Sequence, residues 1–297
     1  MNISFRQLRL FLALADTGSV SAAAKRMHVT QPTASMQLRE MAETVGLPLY
    51  EVVSRQIHLT DAGQELARTA RAMVQEWDAF EQRMASTKGL TQGRLKVALV
   101  STAKSFVPRL LGSFCQRFPN IDISLEVLNR DHVIGRLRSN LDDLYVMSMP
   151  PADLPLEDQI LMPNPLVVIA AAHHPLAGQA GVTLAQLQGD RFILRERGSG
   201  TRMATEARFA QWGFEPGKLL ELGSNEAIKE SVQGQLGVAV VSVHALGAHH
   251  PDLVVLDVVG FPIQSQWHLV WPRGKQLSPI AEVFRTHVLT QAQSWVR

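Results

Sequence analysis

The chain has 297 residues, 46% of them hydrophobic, and a formal net charge of +2. That composition suits a globular protein of more than one domain, and no apolar run is long enough to span a bilayer. The single cysteine, Cys115, excludes an intrachain disulfide.

Ser4 to Thr17 carries Phe5, Leu8, Leu12 and Ala15 at helical spacing, and Gly18 ends the run. Ser19 is placed to cap a second helix, whose Ala22, Ala23 and Ala24 let another helix approach closely. Met27 and Val29 bracket a tight turn. Thr30 then caps a third helix, and Pro32 falls in its first turn, where a missing N–H costs nothing. Gln31, Thr33, Ser35, Met36, Gln37 and Arg39 follow that cap, hydrogen-bonding and apolar groups able to read base edges. With Pro32 they are the candidate DNA-binding residues of a helix-turn-helix whose second helix enters the major groove. An ordinary helical hairpin with a polar face is the plainer alternative.

After Gly46, Tyr50 to Val53 and Ile57 to Leu59 read as two short strands around a polar turn at Ser54-Arg55-Gln56. Such a wing offers Arg55 to the sugar–phosphate backbone, and the module (residues 1–60) ends at Thr60. Within it six Lys or Arg stand against four acids. A module so mildly basic binds DNA weakly alone, so useful affinity needs several copies on one site.

Thr60 is a cap for a long helix from Asp61 to about Lys88, within a linker of residues 61–90. Its Leu66, Ala70, Met73, Trp77, Phe80 and Met84 step by four and three alternately, a coiled-coil seam narrower than the face of a core helix. Dimerisation through this seam is expected, in preference to a helix packed against its own C-terminal domain.

Beyond Gly93 strands and helices alternate. Arg94 to Val100, Ile123 to Leu128 and Leu144 to Ser148 read as strands, with helices at Val107 to Phe118 and His132 to Ser139. This order predicts a parallel sheet with helices on both faces. Cys115, in one apolar pattern with Leu111, Phe114 and Phe118, reads as a buried inert thiol rather than a redox sensor. Around Met162-Pro163-Asn164-Pro165 the chain crosses into a second lobe. Strands are expected there at Leu166 to Ala171, Arg191 to Leu194, Lys218 to Leu222 and Val238 to Ser242, with helices at Thr201 to Trp212 and Asn225 to Gln235. A return crossover falls near Ser265 to Trp271, before a last helix from Pro279 to about Trp295.

The N-terminal FRQLRLFLALADTGSVSAAAKRMHVTQPTASMQLREMAETVGLPLYE, followed by LTDAG, resembles the LysR-type transcriptional regulators. The resemblance runs the length of the chain. STAKSFVPRLL, the NPLVVIA run, LRERGSGTR, SNEAIKESVQGQLGVAVVS and the tail GFPI with W and PRGKQLS are similar to the CbbR branch, which controls carbon-fixation operons. Met36 fits that branch, where many other LysR-type proteins carry Arg. The resemblance implies a mixed α/β protein: a winged helix-turn-helix, a linker helix, and an effector-binding domain of periplasmic-binding-protein type at 91–297. Lobe I would take about 91–164 and 268–297, and lobe II about 165–267. It also implies a homotetramer built from dimers through regulatory-domain contacts.

Ligands of open α/β sheets sit outside the carboxyl ends of strands, so strand-to-helix junctions are the places to look. Ser101, Thr102 and Lys104 follow the first strand of one lobe; Arg195, Ser199, Gly200, Thr201 and Arg202 follow a strand of the other. Hydroxyls, helix N-terminal amides and cations together suit an anion. Gly198 and Gly200 would let the backbone come close to it. N-capping is the plainer role for Ser101 and Thr102. Asn129 and Ser148 are further candidates at strand ends. Where CbbR relatives tend to have Gly-Arg, this chain has Ser148-Met149, which removes a cation.

No Ser, His and Asp are placed as a catalytic relay, and GSGT lacks the Lys-Ser/Thr of a P-loop. His173-His174 and His249-His250 each precede Pro and read as surface turns rather than metal sites. The reading is therefore a non-enzymatic regulator without metal or cofactor, and a cytoplasmic one, since no signal segment opens the chain. Its partners are double-stranded operator DNA, a small anionic effector such as a sugar phosphate or NADPH, further copies of itself and, as a regulator, RNA polymerase. A LysR-type regulator of another operon with a different effector is the alternative; a solute-binding protein is the rival from another class.

Overall fold

The computed structural model describes residues 2–53, 56–87, 93–247 and 251–294, apart from the side chains of residues 82, 83, 85–87, 293 and 294. The chain divides into two compact units, one of residues 1–90 with 139–141 and one of residues 91–138 with 142–297.

In the N-terminal unit, α1 (Phe5–Thr17) starts at Ser4, which exchanges hydrogen bonds with Gln7 in a capping box, and stops at Gly18 in the left-handed region. Ser19 caps α2 (Val20–Arg26), and Thr30 caps α3 (Gln31–Val45), whose first turn holds Pro32. Leu10, Phe11, Leu14, Ala23, Ala34, Leu38 and Met41 make the small core between the three helices. β1 (Tyr50–Val53) and β2 (Gln56–Leu59) pair antiparallel with Val53 opposite Gln56. Gln56 is therefore a strand residue, not part of the turn; Ser54 and Arg55 lie outside the described residues.

The linker helix α4 (Asp61–Thr87) is capped by Thr60, whose Oγ1 accepts from the Gly63 N–H at 3.1 Å. Its first turns serve the N-terminal core: Ala67 and Ala70 are buried there and Leu66 packs against it. Asp16 on α1 accepts from Arg71 at 2.9 Å.

The second unit contains two lobes. Lobe I holds β3 (Gly93–Val100), α5 (Val107–Arg117), β4 (Ile121–Leu128), α6 (Arg130–Arg138), β5 (Leu144–Met147) and β6 (Leu156–Pro163). Lobe II holds β7 (Leu166–Ala171), β8 (Arg191–Arg195), α7 (Gly200–Gln211), β9 (Lys218–Leu222), α8 (Asn225–Gln233), β10 (Val238–Ser242), α9 (Val243–Leu246) and β11 (Leu253–Leu256). The chain then returns to lobe I for β12 (Gln266–Pro272) and α10 (Pro279–Ser294). Sheet orders are β4-β3-β5-β12-β6 and β11-β7-β10-β8-β9.

The expected all-parallel sheet is corrected. β3 lies parallel to β4 and β5, but β12 runs antiparallel to both β5 and β6. The return crossover re-enters lobe I from the opposite end, which dictates that direction. β6 and β11 are strands that the sequence reading left unassigned. Where the chain crosses between lobes, Leu166 and Ile263 exchange backbone bonds at 2.9 Å, and the buried Ser242 hydroxyl donates to Asn164 Oδ1 at 2.6 Å.

Lobe I is built around Trp267, Tyr145, Phe106, Phe114 and Phe284. In lobe II, Phe192, Phe209 and Phe214 meet edge to face. Cys115 is exposed, contrary to expectation. α5 buries Val107, Leu110, Leu111 and Phe114, and Cys115 stands about 100° round the helix from Phe114, past the edge of that face.

Candidate functional site

Two regions gather the residues that the sequence singled out. The first is the outer face of α3. Ala34, Leu38 and Met41 point inward, which leaves Gln31, Pro32, Met36 and Arg39 exposed and Thr33, Ser35 and Gln37 half-buried. Thr30 Oγ1 takes the Thr33 N–H, so Thr33 is partly spent on closing the helix end. Gln31 Nε2 reaches forward one turn to donate to Ser35 Oγ at 3.5 Å. The remaining side chains make a short ribbon of amide, hydroxyl, apolar and guanidinium groups. Arg55 lies outside the described residues.

Within the same unit the proposed seam divides. Leu66 and Ala70 belong to the N-terminal core of their own chain, a correction to a seam that begins at Leu66. Met73, Trp77, Phe80 and Met84 are exposed, and their 4-3-4 spacing keeps them on one stripe of α4. The Trp77 and Phe80 rings lie 5.6 Å apart, and Phe5 borders Trp77 at 5.9 Å.

The second region is the cleft between the lobes. Ser101, Thr102, Arg130, Ser148, Arg195, Glu196, Ser199, Gly200 and Thr201 line a small, nearly filled cavity of about 10 Å³. Val100 ends β3, and residues Ser101–Ser105 form one 3-10 turn without a side-chain cap. The hydroxyls of Ser101 and Thr102 therefore do not cap; they receive Arg195 from the other lobe. Ser199 precedes α7 but makes no side-chain cap bond either, and the first residues of that helix, Gly200 and Thr201, line the cavity.

Arg195 is 2% exposed and uses all five of its N–H groups. Nε and Nη2 clamp the Glu196 carboxylate at 2.7 and 2.8 Å. Nη2 also donates to Ser101 Oγ at 2.9 Å, and Nη1 donates to Thr102 Oγ1 and Asn225 Oδ1, both at 3.0 Å. Asn225 Nδ2 gives Thr102 Oγ1 a second bond at 3.2 Å. Thr102, already accepting twice, has only its proton left to offer.

The cations that the sequence proposed for an anion are thus committed elsewhere. Arg195 is a strut between the lobes. Lys104 pairs with Glu226 across the cleft mouth at 2.9 Å, and Arg202 is held by Glu206, Glu221 and the Arg195 carbonyl. Asn129 accepts the His132 N–H at 3.0 Å and so caps α6. The two glycines serve the other lobe rather than a ligand. A Cβ on Gly200 would stand 2.7 Å from Ser148 Oγ, and one on Gly198, at φ +82°, 2.4 Å from Asp131 Oδ2.

Arg130, which the sequence reading passed over, is the cation left at the cavity. It opens α6, donates through Nη2 to the Met149 carbonyl at 2.8 Å, and keeps a buried Nε with no partner. Burial lowers its pKa from the ordinary value, against the pull of Asp131 and Asp153. The loss of a cation at Met149 is thus offset by a guanidinium resting on that residue's own backbone. The strand-end rule reached Asn129, at the end of β4, and stopped one residue short of Arg130.

Among the described residues no group of His, Cys, Asp and Glu is arranged to hold a metal ion, and no helix is long and apolar enough to cross a membrane. His173 and His174 sit in a turn, where His174 faces Asp190 at 3.3 Å; His249 and His250 lie outside the described residues.

The model of the bacterial regulatory helix-turn-helix protein, lysR family, matches residues 5–64, and that of the LysR substrate binding domain matches residues 88–293. The RuBisCO operon transcriptional regulator of Allochromatium vinosum is 43% identical, covering 98% of this chain and 97% of its own. The HTH-type transcriptional activator CmpR of Synechocystis sp. is 40% identical over 99% of this chain and 97% of its own. Among solved structures, the Synechocystis CcmR regulatory domain in complex with 2-PG is 42% identical with a TM-score of 0.66, over 68% of this chain and 98% of that one. These relatives are regulators and not enzymes, and LysR regulators bind operator DNA and small-molecule effectors. With both models matching in the family's order and spanning most of its length, the chain belongs to the LysR family of transcriptional regulators.

Proposed function

We propose that the protein controls carbon-fixation genes in response to a small phosphorylated acid or sugar phosphate bound between lobes I and II. The observation that carries this reading is the cavity itself. Ser101, Thr102, Ser148 and the first residues of α7, Gly200 and Thr201, surround it, and Arg130 brings a buried, unpartnered N–H. Hydroxyls, helix amides and one guanidinium are what a phosphate group needs. A relative of 42% identity holds 2-PG, 2-phosphoglycolate, in the corresponding domain, and carbon-fixation regulators are similar to this chain along its whole length. The ligand of that relative, a small phosphate ester, favours such an ester over NADPH.

Calorimetric titration of the full chain with 2-phosphoglycolate, ribulose bisphosphate and NADPH tests this. The small esters are expected to bind and NADPH to bind more weakly; binding of none of them overturns the reading. An effector shifts the DNA-bound form only through its different affinity for two lobe arrangements, so the same ligand must also change the footprint on DNA.

On the DNA side, Gln31, Ser35, Met36 and Arg39 are assigned to base edges, with Pro32, Thr33 and Gln37 beside them. A glutamine amide pairs with adenine through two bonds, worth about 1–3 kcal/mol of discrimination. Gln31→Ala is therefore expected to weaken a selected operator about 10-fold and random duplex hardly at all. Fluorescence anisotropy on both duplexes at one salt concentration checks this; equal losses on the two would remove Gln31 from base readout. An oligomer formed through the exposed stripe of α4, and assembled further by regulatory-domain contacts, completes the reading.

A further inference from the structure

We propose that Met36, with Pro32 one turn before it, reads thymine by its 5-methyl group, and so fixes a T·A pair in each half-site of the operator. The inference rests on the assignment of α3 to the major groove. Met36 is 48% exposed on a helix whose inward face is filled by Ala34, Leu38 and Met41, so no part of its own core needs it. Pro32 is exposed on the same stripe. Ser35 and Arg39 flank them, and Pro48, Leu49 and Tyr50 wall the groove alongside.

An apolar spot inside a polar reading face has one complement on the floor of the major groove. The four base pairs offer donors and acceptors there, and only thymine adds a methyl group. Residues four apart on a helix are about 6 Å apart along its axis, and stacked bases about 3.4 Å apart. The two tips therefore span neighbouring or next-neighbouring pairs, so they match one or two thymines. A thioether has no hydrogen-bond donor, so at Met36 guanine gains nothing that would compete with the methyl contact.

The probe is a duplex recovered by the full-length protein from a pool of random double-stranded sequences. Its thymines are replaced one at a time by deoxyuridine, which deletes the methyl and keeps the pairing. Each sensitive position is expected to cost wild type about fourfold in affinity, and matching positions in both half-sites together about 15-fold. At the thymine under Met36, Met36→Ser should bind the thymine duplex as weakly as wild type binds the uracil duplex and be indifferent to the replacement, while a thymine under Pro32 keeps its sensitivity. Met36→Leu, which keeps the apolar reach, should retain the sensitivity. Met36→Arg should move the preference at that pair from T·A to G·C.

A selected duplex without any uracil-sensitive thymine overturns the proposal, as does a Met36→Ser protein that keeps wild type's sensitivity at every thymine. Either result leaves the wider assignment of α3 standing if Gln31→Ala still discriminates selected from random DNA. Failure of wild type to select any sequence takes down both.

Discussion

Phe80→Asp is expected to break the dimer paired through α4, lowering the mass of the assembly, and to lower its affinity for a selected operator by about 10²–10⁴-fold. The second half of the effect follows from the first. One winged module carries six cations against four acids in residues 1–60 and holds DNA weakly. Joining two modules makes the second contact intramolecular, and that gain disappears when the joint is broken. Met73, Trp77, Phe80 and Met84 form an exposed stripe in a heptad-like rhythm, suited to a second copy of α4. A carboxylate in the middle of such a pair of helices is buried without a partner.

The choice of Phe80 matters. Ala70 lies in the N-terminal core, so a charge there would unfold the module and lose DNA binding for an unrelated reason. Phe80 is partly exposed within its own chain, so the variant keeps its fold. Sedimentation velocity gives the mass and anisotropy the affinity; the slope of affinity against salt should also fall, because an unpaired module displaces fewer counterions. Phe80→Leu should retain both dimer and binding. An unchanged oligomer for Phe80→Asp removes the seam from the interface.

What was legible in the sequence was local. Ser4, Ser19 and Thr30 cap their helices, and Gly18 and Gly46 end theirs, because caps act within three or four residues of chain. The seam was legible as a rhythm but not as a boundary, since burial of Ala67 and Ala70 depends on where α1 lies. The cleft shows the limit most sharply. Ser101, Thr102, Ser148, Ser199, Gly200 and Thr201 do meet around one cavity, as strand-end chemistry suggested. Charge assignments failed there, because which cation remains unsatisfied is decided by partners far away in the chain. Thr102 and Asn225 are 93 and 30 residues from Arg195, and both complete its hydrogen-bonding. Arg130, between Asn129 and Asp131, carried no local signal of its own.

That difference between two arginines gives the strongest test of the cleft. Arg130→Met is expected to weaken 2-phosphoglycolate binding about 100-fold while leaving the ligand-free melting temperature unchanged or higher. Arg130 keeps a guanidinium half-buried with one N–H unpartnered, which costs desolvation and returns a single bond to the Met149 carbonyl. Methionine fills similar space without that cost, and the Met149 carbonyl lies on a residue that solvent reaches. An anionic ligand would supply the partner that the buried N–H lacks. Arg195→Met is the contrast. It strands the Glu196 carboxylate and removes donors to Ser101, Thr102 and Asn225, so it should lower stability by about 3 kcal/mol or more, with or without ligand. Wild type with ligand at 100 times its Kd should gain about 2.7 kcal/mol of apparent stability, and Arg130→Met almost none at the same concentration. Thermal melts of the three proteins with and without 2-phosphoglycolate separate the roles. An Arg130→Met protein that gains as much as wild type moves the anion seat away from this arginine; one that melts several degrees lower without ligand makes Arg130 a structural strut like Arg195.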